Sequence, residues 1–232
     1  MTVHLLPSMP QQDIHSDPLL LQPVSLPRIR KRKNYEQFLK RALDIFGSIT
    51  LLSLFSPVFL VVALLVWLSD GSPIFYPRRV IGLYKEFNAY KFRTMLRNAD
   101  AILAADPELR EAFTRDFKLK TDPRVTPVGA FLRKYSLDEL PQLVNVLRGQ
   151  MSLVGPRMIT AQELSKYGAY QELLVQVKPG LTGFWQIRGR QAVSYQERVQ
   201  MDLHYITHWS LGMDLTILLK TPLRVIRGEG AY

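Results

Sequence analysis

The stretch Arg133-Lys134-Tyr135-Ser136-Leu137-Asp138-Glu139-Leu140-Pro141-Gln142 sets two adjacent carboxylates between basic residues and a proline. Pro141 suits the first turn of a helix, where its missing amide costs nothing, so Asp138 or Ser136 is placed to cap that helix. Capping and the helix dipole would by themselves account for both carboxylates. An aspartate beside cations at a helix N-terminus is also held ionised, and an ionised carboxylate can serve as nucleophile or magnesium ligand. Support for the chemical reading comes from Met151-Ser152-Leu153-Val154-Gly155-Pro156-Arg157 and from the run Lys178 to Arg190, KPGLTGFWQIRGR. Gly and Pro there imply tight loops, in which backbone amides and planar guanidinium groups grip phosphate oxygens. No Walker loop and no dinucleotide fingerprint occurs.

The elements that must position these residues begin with a hydrophobic run. Ile45 to Leu68 carries no charged residue, and at about 1.5 Å per residue a helix of that length covers the roughly 30 Å of a bilayer core. Trp67 at its end suits an interfacial anchor. Basic residues flank the run on both sides: Arg28, Arg30, Lys31, Arg32, Lys33, Lys40 and Arg41 before it, Arg78, Arg79, Lys85, Lys91, Arg93 and Arg97 after it. A single spanning helix should show this enrichment mainly on its cytoplasmic side. Ser56-Pro57 lies in the middle of the run, where proline removes a donor and forces a break or sharp kink. A re-entrant hairpin that enters and leaves by one face satisfies both facts; a kinked spanning helix is the alternative.

Beyond Asp70 the chain turns polar. GSPIFYPRR and residues 88–95 alternate in the manner of strands. Residues 97–117, interrupted at Pro107, read as helical, as do Glu139–Leu147, Thr160–Val177, Ser194–His208 and Leu211–Ile226. The fold class expected is a helix-rich α+β protein: a basic, disordered tail over residues 1–38 without a secretory signal, a re-entrant membrane helix over 39–69 broken at Ser56 and Pro57, and a cytoplasmic catalytic module over 70–232 with interfacial amphipathic helices.

The 232 residues are 47% hydrophobic, enough for a core, which excludes a wholly disordered chain. Lys and Arg exceed Asp and Glu by ten, which suits nucleic acid, phosphorylated substrates or acidic lipid without choosing among them. There is no cysteine, so disulfides, thiolate zinc sites and cysteine nucleophiles are excluded.

Taken together these residues resemble the bacterial sugar transferase family, the monotopic phosphoglycosyl transferases. The likeness runs from Lys40-Arg41-Ala42-Leu43-Asp44 through Ser56-Pro57, Tyr90-Lys91-Phe92-Arg93-Thr94-Met95 and Asp122-Pro123-Arg124-Val125-Thr126. It continues through SLDELPQL, MSLVGPR and KPGLTGFWQ to Asp202, Ser210 and Asp214. Gln150, Met158 and Arg188 depart from the family's usual residues, none of them at the carboxylate pair. The resemblance implies that Asp138 attacks the sugar-linked phosphate of a UDP-hexose, that Glu139 assists as a second catalytic carboxylate, and that magnesium, held by Asp138 and Asp202, offsets phosphate charge. It implies substrate or phosphate contacts from Arg133, Arg157, Lys178, Gln186 and Arg190, and undecaprenyl phosphate as acceptor at the cytoplasmic face of the bacterial inner membrane. Membrane lipid is then a partner, a homo-oligomer is compatible, and nucleic acid is not expected, since no nucleic-acid motif occurs. The rival reading is a non-catalytic membrane adaptor whose basic surface holds anionic lipid or a partner protein; it gives no reason for the carboxylate pair and the glycine loops.

Overall fold

The computed structural model describes residue 29 and residues 32–116, 119, 121–188 and 193–227. Residues 1–28 of the expected tail, and Arg190, lie outside the described residues. The first helix, α1 (Asn34–Leu54), starts five residues before the boundary expected at residue 39. It meets α2 (Ser56–Asp70) at a bend of 63°. No single described helix is long and apolar enough to cross a membrane, but this bent pair is, by length and composition.

The bend has a local cause at Phe55. Pro57 has no N–H to give to the carbonyl of Ser53, and the hydroxyl of Ser56 donates to that same oxygen at 2.9 Å. The acceptor stranded by proline is thus satisfied by its neighbour, and Pro57 sits in the first turn of α2, where it is tolerated.

Helix α1 is amphipathic in the inverse sense of a soluble helix. Its four-residue stripe Glu36, Lys40, Asp44 and Ser48 is buried against the rest of the chain, while Phe38 and Phe46 on other faces are each 71% exposed. The buried charges are paired. Lys40 Nζ lies 2.8 Å from Asp214 Oδ2 and donates to the carbonyl of Val154 at 2.9 Å. Asp44 accepts from the Ser152 hydroxyl and the Leu153 amide. Asp214 accepts from the Tyr205 hydroxyl and the Trp209 indole. Removing either partner would strand a charge, at a cost of roughly 3–5 kcal/mol.

After α2 comes an antiparallel hairpin of β1 (Phe75–Ile81) and β2 (Glu86–Phe92). The chain then forms α3 (Ala99–Ala105), α4 (Pro107–Asp116) and α5 (Pro127–Lys134), split at Pro107 as the sequence implies. A 3₁₀ turn over Leu137–Glu139 precedes α6 (Gln142–Leu147). Next are β3 (Ser152–Val154), α7 (Ala161–Leu164), a 3₁₀ segment and α8 (Gln171–Val175). The helix expected over Thr160–Val177 is therefore broken, and Gly168, at φ 52°, marks the kink. β4 (Gly180–Thr182) runs parallel to β3. The short α9 (Phe184–Arg188) rises from a stretch expected to be loop. Two long helices end the described chain, α10 (Tyr195–His208) and α11 (Leu211–Arg227).

One apolar core gathers the inward faces of the hairpin, α6, β3, α8, α10 and α11 around Val80, Leu143, Met151, Tyr205 and Ile217. A second, smaller one joins Val62 and Val66 of α2 to Phe92 and Leu132. Arg93 closes the end of α2, donating to the carbonyls of Asp70 and Gly71, and Arg97 adds a third such bond. A cation at a helix C-terminus is favoured by the dipole. α11 leaves Leu215, Leu219, Leu223 and Ile226 exposed along one stripe.

Candidate active site

Strand alternation brings cations to the carboxylate pair. Tyr76 opposes Lys91, Arg78 opposes Ala89 and Val80 opposes Phe87, so all six share the face whose far end, Val80 and Phe87, enters the core. Arg133 arrives from the last turn of α5. That helix is capped by Thr126, whose hydroxyl oxygen accepts from the amide of Gly129. Only glycine allows the approach there: a Cβ on Gly129 would sit 2.0 Å from the carbonyl oxygen of Thr94. Arg133 Nε then donates to the Thr94 hydroxyl at 2.9 Å.

Ser136, in the left-handed region at φ 54°, turns the chain into the 3₁₀ segment that carries Asp138 and Glu139. Neither Asp138 nor Ser136 caps α6 by its side chain, contrary to expectation, because the helix starts only at Gln142 with Pro141 at its cap. The capping account of Asp138 is thereby removed. The turn is held against the hairpin by Asn145. Its amide accepts from the Tyr90 N–H and donates to the Asn88 carbonyl and to Gln150.

Arg157 follows β3. Gly155 and Gly180 permit the two loops to touch: a Cβ on Gly155 would lie 2.6 Å from the Gly180 nitrogen, and one on Gly180 2.1 Å from the Gly155 nitrogen. Asp202, on α10 and fully buried, accepts from the Arg157 amide at 3.2 Å and from the Tyr167 hydroxyl at 2.8 Å. Both of its oxygens are thus engaged in fixing the loop. Glu163 closes a capping box with Thr160 and accepts from Arg78 at 2.9 Å.

The charges perturb one another strongly. Burial raises Asp138 above the usual carboxylate range, with Lys91 and Arg133 opposing. Glu139 is pushed up to about 7, by burial first and by Asp138 second, against the pull of Arg157, Lys91 and Arg78. Lys91 falls to about 8, chiefly by burial and against the attraction of Asp138. Asp202 rises to about 6 by burial. Two adjacent carboxyls at this depth resist ionising together, so the pair can hold a nucleophilic carboxylate and a proton-carrying partner at once. Arg78, Lys91, Arg133 and Arg157 all act on the carboxylate pair, which suits a polyanionic ligand.

Asp138, Glu139, Arg133, Arg157 and Asp202, all singled out by motif, converge here. Lys178 does not. It is half-buried beside Arg41, Lys40, Asp44 and Arg32, whose charges, after burial, set its lowered pKa. Arg41 in turn caps the end of α6, donating to the carbonyls of Val146 and Leu147. Gln186 buries an unpartnered Oε1 where a Cβ on Gly183 would approach it to 2.9 Å. Missed from sequence as site residues were Arg78, read as flanking charge, and Lys91, read as flanking charge and as part of the family-like stretch over residues 90–95, together with Glu163, Tyr167 and Arg198. Strand alternation across residues 75–92 was the signal that would have turned the first two inward.

The sequence profile described as bacterial sugar transferase matches residues 35–228. The undecaprenyl-phosphate galactose phosphotransferase of Salmonella typhimurium is 46% identical over 86% of the chain and 43% of its own length. The exopolysaccharide production protein ExoY of Sinorhizobium fredii is 48% identical over 83% of the chain and 88% of its own. The undecaprenyl-phosphate glucose phosphotransferase of Komagataeibacter xylinus is 35% identical over 99% of the chain and 44% of its own. The chain spans under half the length of the longer curated relatives it matches.

Proposed function

Because the chain belongs to the bacterial sugar transferase family, we propose that it moves a hexose 1-phosphate from a UDP-hexose to undecaprenyl phosphate and so begins the assembly of an exopolysaccharide or related glycan. The observation that carries this reading is the Asp138-Glu139 pair on its 3₁₀ turn, within the fields of Arg78, Lys91, Arg133 and Arg157. An oxygen of Asp138 attacks the phosphorus bearing the hexose; the new O–P bond forms as the bond to UMP breaks, and UMP leaves with the electron pair. A phosphate oxygen of the lipid then attacks the same phosphorus, which regenerates the carboxylate. Glu139, near 7, is the group suited to take the proton of the incoming lipid phosphate. Arg133 and Lys91 balance charge at the attacked phosphate.

Magnesium fits this donor set. Among the described residues no group of three or more His, Asp or Glu could hold a metal alone, and magnesium characteristically takes one or two carboxylates and completes its shell with phosphate and water. Asp138 is the ligand this chain offers, since Asp202 has both oxygens engaged. When bound, the ion would neutralise charge developing on the donor phosphates.

The acceptor is a lipid, and α1 and α2 supply a way to meet it. Apolar side chains on α1 and α2 are exposed while the charged stripe of α1 faces protein, which supports a helix pair immersed in the cytoplasmic leaflet of the inner membrane. The exposed stripe of α11 supports an interfacial helix beside it. Cysteines introduced singly at the exposed Asn34 and Ser72, in a chain with none of its own, should both resist an impermeant thiol reagent in intact cells and both react after permeabilisation. Labelling of one alone in intact cells would refute the re-entrant hairpin.

The transfer itself is tested with detergent-purified protein, magnesium, undecaprenyl phosphate and a panel of UDP-sugars carrying label in the hexose or the hexose-linked phosphate. Both labels are expected to enter the lipid phase together from UDP-glucose or UDP-galactose. Hexose entering without its phosphate, or no transfer from any UDP-sugar, would overturn the reading.

A further inference from the structure

We propose that Arg198, together with Arg157, grips the nucleoside-proximal phosphate of the donor, the one that leaves as part of UMP; this rests on the diphosphate donor proposed above. Arg198 lies in the second turn of α10 and is 8% exposed. Its guanidinium carbon stands 4.0 Å from the Tyr195 ring centre and 5.6 Å from that of Trp185. The guanidinium carbon of Arg157 stands 5.0 Å from the same indole. Two cations are therefore gathered on one aromatic side chain.

Asp202 and Glu163 act on them from a distance, but what they lack is a carboxylate in direct contact. Neither forms an ion pair with a carboxylate among the described residues, and the Nε atoms of both are buried without a hydrogen-bond partner. The carboxylates that could serve are committed elsewhere: Asp202 to the Arg157 amide and Tyr167, Glu163 to Arg78 and Thr160. Burial and the charge of Arg157 both disfavour the ionised form of Arg198. A guanidinium lying against an aromatic ring keeps its donors in its own plane, so the orphaned Nε–H groups stay open to a ligand even though Arg198 also bonds the Tyr195 hydroxyl. Orphaned buried donors of this kind are uncommon in folded proteins and call for a partner outside the chain. Phosphate oxygens, which accept bidentate bonds from planar guanidinium groups, fit best.

Arg157 joins this pair to the reacting carboxylates, since its charge also acts on Glu139. The cations then divide by position. Arg133 and Lys91 surround Asp138, where the hexose-bearing phosphate must come, and Arg157 with Arg198 receive the second phosphate. Negative charge gathers on that phosphate as UMP departs, so the two guanidinium groups stabilise the leaving group. The same pair would favour diphosphate donors over sugar monophosphates.

The test uses the full chain in detergent with Asp138→Asn to prevent turnover, titrated calorimetrically with inorganic pyrophosphate and with UDP. Adding Arg198→Gln should weaken both by about 10- to 100-fold, the range of one or two charge-assisted hydrogen bonds. Unchanged pyrophosphate affinity in a folded Arg198→Gln protein overturns the proposal. Should that variant fail to fold, Arg198→Lys, which keeps charge and much of the packing, decides: a several-fold loss for pyrophosphate is expected, and no loss refutes the grip. In the Asp138 protein, UDP-hexose transfer is measured alongside. Pyrophosphate binding that depends on Arg198 in a chain that transfers nothing from any UDP-sugar would leave the phosphate grip standing and remove the donor assignment.

Discussion

Asp138→Asn should abolish turnover, by roughly 10⁴-fold or more, while leaving the protein folded and its thermal midpoint unchanged or raised. Stability is preserved because burial disfavours the ionised side chain more than Lys91 and Arg133 favour it, and because Asp138 does not cap α6 through its side chain. The neutral amide keeps the shape and removes the desolvation penalty. Chemistry is lost because the amide is no nucleophile. In the absence of acceptor lipid, the Asp138 protein with magnesium and UDP-hexose is expected to release one UMP per chain. The peptide containing Asp138 should then gain one hexose phosphate. The variant should do neither. UMP release that requires undecaprenyl phosphate, with no modified peptide, would instead indicate direct transfer in a ternary complex, and substantial activity in Asp138→Asn would exclude it as nucleophile.

Glu139→Gln should lower transfer by about 100-fold or more and flatten its pH dependence. With its carboxyl pushed up to about 7, Glu139 gains its charge as pH rises through neutrality, so transfer by the Glu139 protein should climb through that range. The glutamine variant lacks that carboxyl, so only the weaker slopes set by Asp202, at about 6, and Lys91, at about 8, remain. Folding stability supplies an independent check with a definite sign. The native state retains a proton that the unfolded chain, with an ordinary value of 4.5, has already released. The stabilising contribution is therefore full below pH 4.5 and is lost as pH rises through about 7. Compared with the Glu139 protein, Glu139→Gln should gain stability at pH 8 and show little difference near pH 4.5. Parallel thermal midpoints at the two pH values would show that Glu139 titrates normally.

Short-range signals in the sequence were read successfully. Proline at position 57 in a charge-free run implied the break found at Phe55, and Pro107 split α3 from α4. The helix expected over Ser194–His208 is α10, and the structure begins it with a capping box between Ser194 and Glu197. The convergence of Arg133, Asp138, Glu139, Arg157 and Asp202 followed from the motifs. What failed depended on contacts between distant segments. Lys40, Lys91 and Arg93 are basic residues beside an apolar run, and nothing local separates a charge facing lipid headgroups from one buried on Asp214, beside Asp138 or on the end of α2. Lys178 belongs to the same glycine-rich run as Trp185, yet the β3–β4 pairing delivers it toward α1. Arg198 looks like any surface arginine of an amphipathic helix; only Trp185 and Tyr195 packed beside it give it away.

The charged stripe of α1 also constrains how such a chain is made. On the proposed placement, its apolar side chains belong in lipid, but Lys40 and Asp44 find their partners at Ser152, Leu153, Val154 and Asp214, far along the chain. A nascent helix released sideways into the bilayer during synthesis would carry those charges into hydrocarbon before any partner existed, at several kcal/mol for each. The cheaper order is for α10, α11 and β3 to be synthesised and to dock on α1 first, with the membrane receiving a surface whose charges are already covered. Insertion then becomes the final step of folding, and truncating the chain before Asp214 would leave α1 with no acceptable solvent on either side.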